Sequence, residues 1–269
     1  MIKLASIIPH SPILIPSIGK KNYSILKKTQ KSFQKIKEDI IKEDLDTIII
    51  ISPHQKKIKG VTINNHFQFK INFEEFGDYS SKTNFPGDLI MSYQLKELAE
   101  PDFWIELQAE ETPDHGTTVP LYSLLTDDGQ KIKEFKGKII IINTTPNKDL
   151  RYHFNLGQKL KLKLEKSSRK IGILASGELS HCLNHNAPGG FYQKAVWFDE
   201  KTIEHLKKGS AGIEAFLETD PKIALEAKEC GLRPIALLLG LLPTNYKTET
   251  LSYQKELGVG YLSMKIILD

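Results

Sequence analysis

Cysteine is nearly absent from this sequence: Cys182 and Cys230 are the two in 269 residues. Two thiols build no disulfide framework, which points to a reducing compartment. Long apolar runs are missing as well, and none approaches the length of a membrane span. The start, Met1-Ile2-Lys3-Leu4, reads as a strand and lacks the charged and apolar regions of a signal peptide; a cytoplasmic protein without a membrane partner is expected. Charge of one sign is not in great excess either. The formal net charge is +4, and the lysines responsible, around Lys20-Lys21 and from Lys159 to Lys170, read as solvated helix faces. No arginine–aromatic interleaving marks a nucleic-acid surface. No Pro/Gly/Ser-rich linker and no internal repeat divides the chain, so one domain over residues 1–269 is expected. Hydrophobic residues make up 40% of it and the mean hydropathy is -0.30, enough apolar material for a sizeable core.

What is present is an alternation of apolar runs and amphipathic segments. Strands are predicted from Ile2, over Ile48-Ile49-Ile50-Ile51, Phe103 to Gln108, Ile139-Ile140-Ile141-Ile142 and Lys170 to Ala175. Helices are predicted over Asn22 to Lys42, where Leu26, Phe33, Ile36 and Ile40 share one face, from Pro86 to Ala99, over Lys148 to Lys166, over Phe198 to Leu217 with a break near Gly209, and over Pro221 to Lys228 and Pro234 to Leu242. Val61–Ile63 and Phe67–Ile71 flank Asn64-Asn65-His66 and read as a hairpin. Residues 73–85 read as a polar, irregular excursion over a site. The pattern predicts an α/β fold with a central, mostly parallel sheet and helices on both faces. Two closing strands, Thr248 to Tyr253 and Val259 to Ile267, follow each other too closely to be parallel and make the sheet mixed.

Histidine is where the pattern turns chemical. The first strand stops at Pro9 and is followed by His10; the second stops at Ser52-Pro53 and is followed by His54. Proline cannot continue a central ladder, so both imidazoles lie just past the carboxyl end of a strand, where open α/β sheets bind ligands. If the two strands are parallel neighbours, the rings emerge on one edge. Either histidine alone reads as a loop residue with a satisfied hydrogen bond; together they read as a metal site. His115 and His181 stand at two further junctions, whereas His66, His153, His185 and His205 do not. Glu229-Cys230, at a helix boundary, adds a carboxylate and a thiol. Two histidines and a carboxylate form the facial triad of non-haem Fe(II) oxygenases, which leaves open positions on the metal.

In order and spacing, these segments resemble the LigB-type, class III extradiol ring-cleaving dioxygenases and the related Memo proteins. The matching stretches are Ile8-Pro9-His10-Ser11-Pro12-Ile13-Leu14, Ser52-Pro53-His54, Asn84-Phe85-Pro86-Gly87-Asp88, Pro113-Asp114-His115-Gly116-Thr117, Ser176-Gly177-Glu178-Leu179-Ser180-His181, Glu229-Cys230-Gly231-Leu232-Arg233 and Gly258-Val259-Gly260-Tyr261-Leu262. The resemblance implies that His10 and His54 ligate Fe(II), with zinc or copper as alternatives, and that a small aromatic diol and dioxygen are the partners. It implies that His181 is the acid/base residue and that His115 contacts substrate or oxygen. Asp114 would orient His115, or cap the helix it precedes. Assembly into a homo-oligomer is left open.

The third ligand has two candidates. The dioxygenases of this type use a glutamate near the start of a late helix and Memo proteins a cysteine in the comparable place; here Glu229 and Cys230 are adjacent. A carboxylate suits Fe(II) with vacant positions, a thiolate suits zinc or copper, and the dioxygenase reading prefers Glu229. Glu178 is a weaker candidate that could brace the His181 loop. Three functions follow: a ring-opening dioxygenase, a Memo-like metal-binding or interaction protein without that activity, and a zinc hydrolase.

Overall fold

The computed structural model describes residues 1–55, 60–127 and 129–268. Its strands are β1 (Ile2–Ile8), β2 (Thr47–Ser52), β3 (Val61–Asn64), β4 (Gln68–Phe73), β5 (Asp78–Pro86), β6 (Ile105–Gln108), β7 (Thr126–Asp127), β8 (Gln130–Lys131), β9 (Lys138–Asn143), β10 (Ile171–Ser176), β11 (Tyr246–Gln254) and β12 (Tyr261–Leu268). The α-helices are α1 (Pro16–Gly19), α2 (Lys27–Glu43), α3 (Leu89–Ala99), α4 (His115–Leu125), α5 (Leu150–Glu165), α6 (Ala195–Lys207), α7 (Ile213–Leu217), α8 (Pro221–Ala227) and α9 (Leu232–Leu241).

The main sheet has eight strands among the described residues, in the order β11-β12-β1-β10-β2-β9-β3-β6. The central four, β1, β10, β2 and β9, are all parallel. β12 closes one side antiparallel to β1 and β11 follows it antiparallel; β3 runs antiparallel to β9 and β6 parallel to β3. The fold is therefore the expected mixed but mostly parallel α/β sheet. Its central strands β10, β2 and β9 are buried on both faces, which is why they read as unbroken apolar runs. Ile49, Ile51, Ile140 and Ile142 point into a core with α3, α5 and α9. Ile48, Ile50, Ile139 and Ile141 point into the opposite core with α2 and α4. Each such side chain contributes about 1.5–3 kcal/mol on full burial, so the sheet is a stiff floor for whatever stands at its edge. Among the described residues, no helix is long and apolar enough to cross a membrane.

Four local expectations are corrected. Val61–Ile63 and Phe67–Ile71 do not form a hairpin: β3 joins the main sheet beside β9, and β4 pairs with β5 in a separate two-stranded sheet. Residues 73–85 are accordingly not irregular, because most of them form β5. The inner face of that hairpin is packed by Phe69, Phe73 and Phe85, all fully buried, while its tip at residues 74–76 is unburied. Pro86 ends β5 and does not open a helix; Asp88 caps α3 by accepting from Met91 N. The helix expected from Asn22 begins at Lys27, after a 3-10 segment over Lys20–Leu26.

Candidate metal centre

β10 lies between β1 and β2, so the two Pro-His strands are not direct neighbours. All three are parallel and end at the same edge, with Ile8 beside Ser176 and Ala175 beside Ile51. Two residues past the three strand ends stand His10, Glu178 and His54. The strand between the histidines thus delivers a carboxylate to the gap between them.

His10 is buried and its Nε2 is the hub. It lies 3.2 Å from His54 Nε2, 3.4 Å from Glu178 Oε2 and 3.6 Å from Cys230 Sγ. The potential ligand atoms fall into two sets that share His10: His10, His54 and His115, and His10, Glu178 and Cys230. Ring centroids are 5.0 Å apart for His10 and His54, 5.5 Å for His10 and His115, and 4.5 Å for His54 and His115. The tautomer of His10 follows from its neighbour. Ser176 Oγ donates its one proton to the Gly116 carbonyl, so at 2.9 Å it must accept from His10 Nδ1–H. A neutral His10 then presents a lone pair at Nε2, the state in which imidazole ligates metals.

The electrostatics agree. Burial, only partly offset by the Glu178 carboxylate, pushes His10 down to about 3. His54 and His115 are lowered chiefly by burial as well. Burial pushes Glu178 up, but the imidazoles of His10 and His181 more than offset it, leaving a carboxylate at about 2. His181 moves the other way: burial lowers it, and the hydrogen bond and charge of Glu178, with Oε2 3.3 Å from His181 Nε2, raise it above its ordinary 6.5. Burial holds the Cys230 thiol well above its ordinary value, so a free thiolate is disfavoured unless a cation is present.

Each of the two sets fits a metal ion. Donors bonded to one ion at about 2.0–2.3 Å stand about 3.3–3.7 Å apart at tetrahedral angles; the separations from His10 Nε2 fall near that range, and the donor atoms of each set lie within 4.8 Å of one another, whereas His54 shares no set with Glu178 or Cys230. The other Glu178 oxygen, Oε1, is buried with no hydrogen-bond partner among the described residues, a costly arrangement unless something cationic sits there.

The structure brings five of the seven site residues proposed from sequence to this edge: His54 and His115 in one set with His10, Cys230 with His10 and Glu178 in the other, and His181 against Glu178. Asp114 stands behind them. Its carboxylate accepts from Ser52 Oγ at 2.8 Å and its backbone occupies the N-cap position of α4 without a side-chain capping bond, so it braces the end of β2 two residues before His54. Gly116 permits this approach: a Cβ there would lie 2.5 Å from Ser52 Oγ and 3.0 Å from His54 Cδ2. Glu229 is not brought into either ligand set. Its carboxylate accepts from Leu232 N at 2.7 Å and faces Arg233 at 3.8 Å, satisfying the first turn of α9.

Several residues at the site were not singled out from sequence. Ser176 and Ser52 end two of the strands, and each fixes a histidine; the shared strand–Ser–X–(Glu/His) pattern was the available signal. The tip of the β4–β5 hairpin places Phe76 edge-on to His115, with centroids 5.7 Å apart, and Glu75 4.0 Å from its Nδ1. A cavity of about 330 Å³ opens beside His54 and His115, walled by Pro53, Gln55, Glu110 and Pro146.

A family model described as the catalytic LigB subunit of aromatic ring-opening dioxygenase matches residues 4–263. Protein CA_C1420 of Clostridium acetobutylicum is 28% identical over 272 residues, covering 97% of this chain and 56% of that protein, so the chain spans about half the length of this relative. The crystal structure of the uncharacterized protein JW3007 from Escherichia coli K12 superposes with a TM-score of 0.64 at 18% identity, covering 98% of this chain and 99% of that one. At that identity the likeness concerns the fold alone.

Proposed function

Because the chain belongs to the family of the catalytic LigB subunit of aromatic ring-opening dioxygenases, we propose that it opens the ring of a small catechol-like diol with dioxygen, at an Fe(II) centre held by His10, His54 and the Cys230–Glu178 pair. The observation that carries this reading is the lone-pair state of His10 Nε2, imposed by Ser176, with three further donor atoms 3.2–3.6 Å away. Bound there, the metal supplies Lewis acidity and open positions. The protein's own groups do the rest. His181 takes a proton from the diol and returns it during ring opening; its raised affinity for a proton, conferred by Glu178, suits a base that must be reprotonated near neutrality. Glu178 holds the resulting imidazolium in place through the contact to Nε2. His115, kept neutral by burial, donates or accepts a hydrogen bond to the substrate without adding charge. The cavity beside His54 and His115 has room for a single substituted ring.

One observation favours a second reading. Cys230 and not Glu229 faces His10, and a thiolate suits zinc or copper, as in a Memo-like metal-binding protein without ring-opening activity. One experiment separates the two: protein loaded anaerobically with Fe(II) is given a panel of catechols and air. The dioxygenase reading expects oxygen uptake matched by a yellow ring-fission product. Full metal occupancy with no turnover of any catechol favours the second.

A further inference from the structure

The loop that follows β10 carries both Glu178 and His181, so the geometry of the centre depends on how that loop is held. Its backbone is anchored from several elements. Glu178 O accepts from Cys230 N and Gly231 N, Leu179 N donates to Gly260 O, Ser180 O accepts from Gly260 N, and His181 N donates to Ala227 O. Side chains anchor it too: Glu178 N donates to Cys230 Sγ and Ser180 Oγ to Ala227 O, and one further anchor comes from α6. Asp199, fully buried on α6, accepts from Ser180 N at 2.8 Å through Oδ1 and from the Tyr253 hydroxyl at 2.6 Å through Oδ2. It touches none of the metal donors. Its carboxylate lies against Gly260, where a Cβ would come within 2.1 Å of Oδ2 and 3.0 Å of Leu179 Cβ.

We propose that Asp199 is a positioning residue for the centre: by holding the Ser180 peptide against Gly260, it sets where Glu178 and His181 stand. Both partners of the carboxylate are donors, from the loop and from β11, so an acceptor with two oxygens is the group that ties them together. The peptide it holds lies between the two functional residues, one position from His181 and two from Glu178. A shift there moves both side chains at once, whereas His10 and His54, which follow β1 and β2, stay put. Gly260 serves the same end by leaving the carboxylate room.

This inference rests on the reading of His10, His54, Glu178 and Cys230 as a metal centre, and Co(II) reports on it without requiring a substrate. Full-length protein is titrated with Co(II), recording affinity by competition and the visible spectrum, alongside thermal unfolding. Asp199→Ala and Gly260→Ala should each weaken Co(II) binding about 10–100-fold, as loss of groups supporting metal ligands generally does, and should alter the spectrum. Asp199→Asn, with its amide oxygen toward Ser180 N, should restore both. Tyr253→Phe leaves the Ser180 contact intact and should lower stability while keeping the wild-type spectrum. If Asp199→Ala fails to fold, Gly260→Ala carries the test. Wild-type affinity and spectrum in folded Asp199→Ala or Gly260→Ala would overturn the proposal, and so would Tyr253→Phe weakening Co(II) as much as Asp199→Ala. A wild type that takes up no Co(II) would instead remove the metal centre itself, and the proposal with it.

Discussion

Ser176 Oγ accepts a hydrogen bond from His10 Nδ1 at 2.9 Å because its own proton goes to the Gly116 carbonyl. The strand between the two Pro-His strands thus dictates which nitrogen of His10 is free. Ser176→Ala removes the acceptor, leaves a buried N–H unpaired at a cost of about 1–3 kcal/mol, and lets the ring change tautomer. Metal affinity is expected to fall about 10–100-fold with the fold retained, measured by competitive zinc titration and circular dichroism.

Glu229 and Cys230 are adjacent and take opposite roles. Glu229 satisfies Leu232 N at the start of α9, while Cys230 Sγ faces His10. Glu229→Gln should keep the metal and lose about 1 kcal/mol or less, since an amide oxygen still accepts from Leu232 N. Cys230→Ala should lose most of the bound metal. Elemental analysis of the two purified variants, with their melting temperatures, checks the pair; metal lost from Glu229→Gln and kept in Cys230→Ala would reverse the assignment.

The contrast shows how much of the site was legible. His10 and His54 could be read because each directly follows an apolar run that ends in proline, a local feature. The choice between Glu229 and Cys230 could not, because it depends on which way the chain turns into α9, and both side chains have chemistry suited to a metal. Glu178 was underrated for a topological reason: nothing local places β10 between β1 and β2. Non-locality also explains the misread hairpin. Asn64-Asn65-His66 has the composition of a turn, but the partners of Val61–Asn64 are β6 and β9, which begin at Ile105 and Lys138, far along the chain. β5 was overlooked because its exposed, polar side chains hide the buried ends at Asp78 and Phe85. The central parallel strands emerged from apolar runs alone, and the buried face of α2 from its periodicity.

Asp199 should make stability depend on pH. Burial lifts its carboxyl from 3.8 to about 6, against the hydrogen bonds from Tyr253 and Ser180. The folded state therefore holds this proton more tightly than the unfolded chain. Stability from this group is fully present below about pH 4 and is lost as pH rises toward 6, by about 3 kcal/mol in all. Asp199→Asn abolishes that titration, so the difference in unfolding free energy between the variant and the wild type should shift in favour of the variant from pH 4 to pH 7. Urea unfolding at several pH values measures it; a difference independent of pH contradicts the assignment.

His181→Ala should separate chemistry from metal binding. His181 Nε2 contacts Glu178 and not the His10 hub, so its loss should spare the metal and the binding of a catechol. Turnover should fall about 10²–10⁴-fold, the usual contribution of a general acid/base. Steady-state oxygen consumption by iron-loaded wild type and variant checks this, and equal rates would remove His181 from the mechanism.

The proposed metal centre requires His10 and His54 to hold one ion between two strand ends. Its most direct test is the metal content, by elemental analysis, of wild type, His10→Ala and His54→Ala purified without air. The expected result is one ion per wild-type chain and close to none in either variant, with all three folded. Metal retained at the wild-type level in both variants would contradict it.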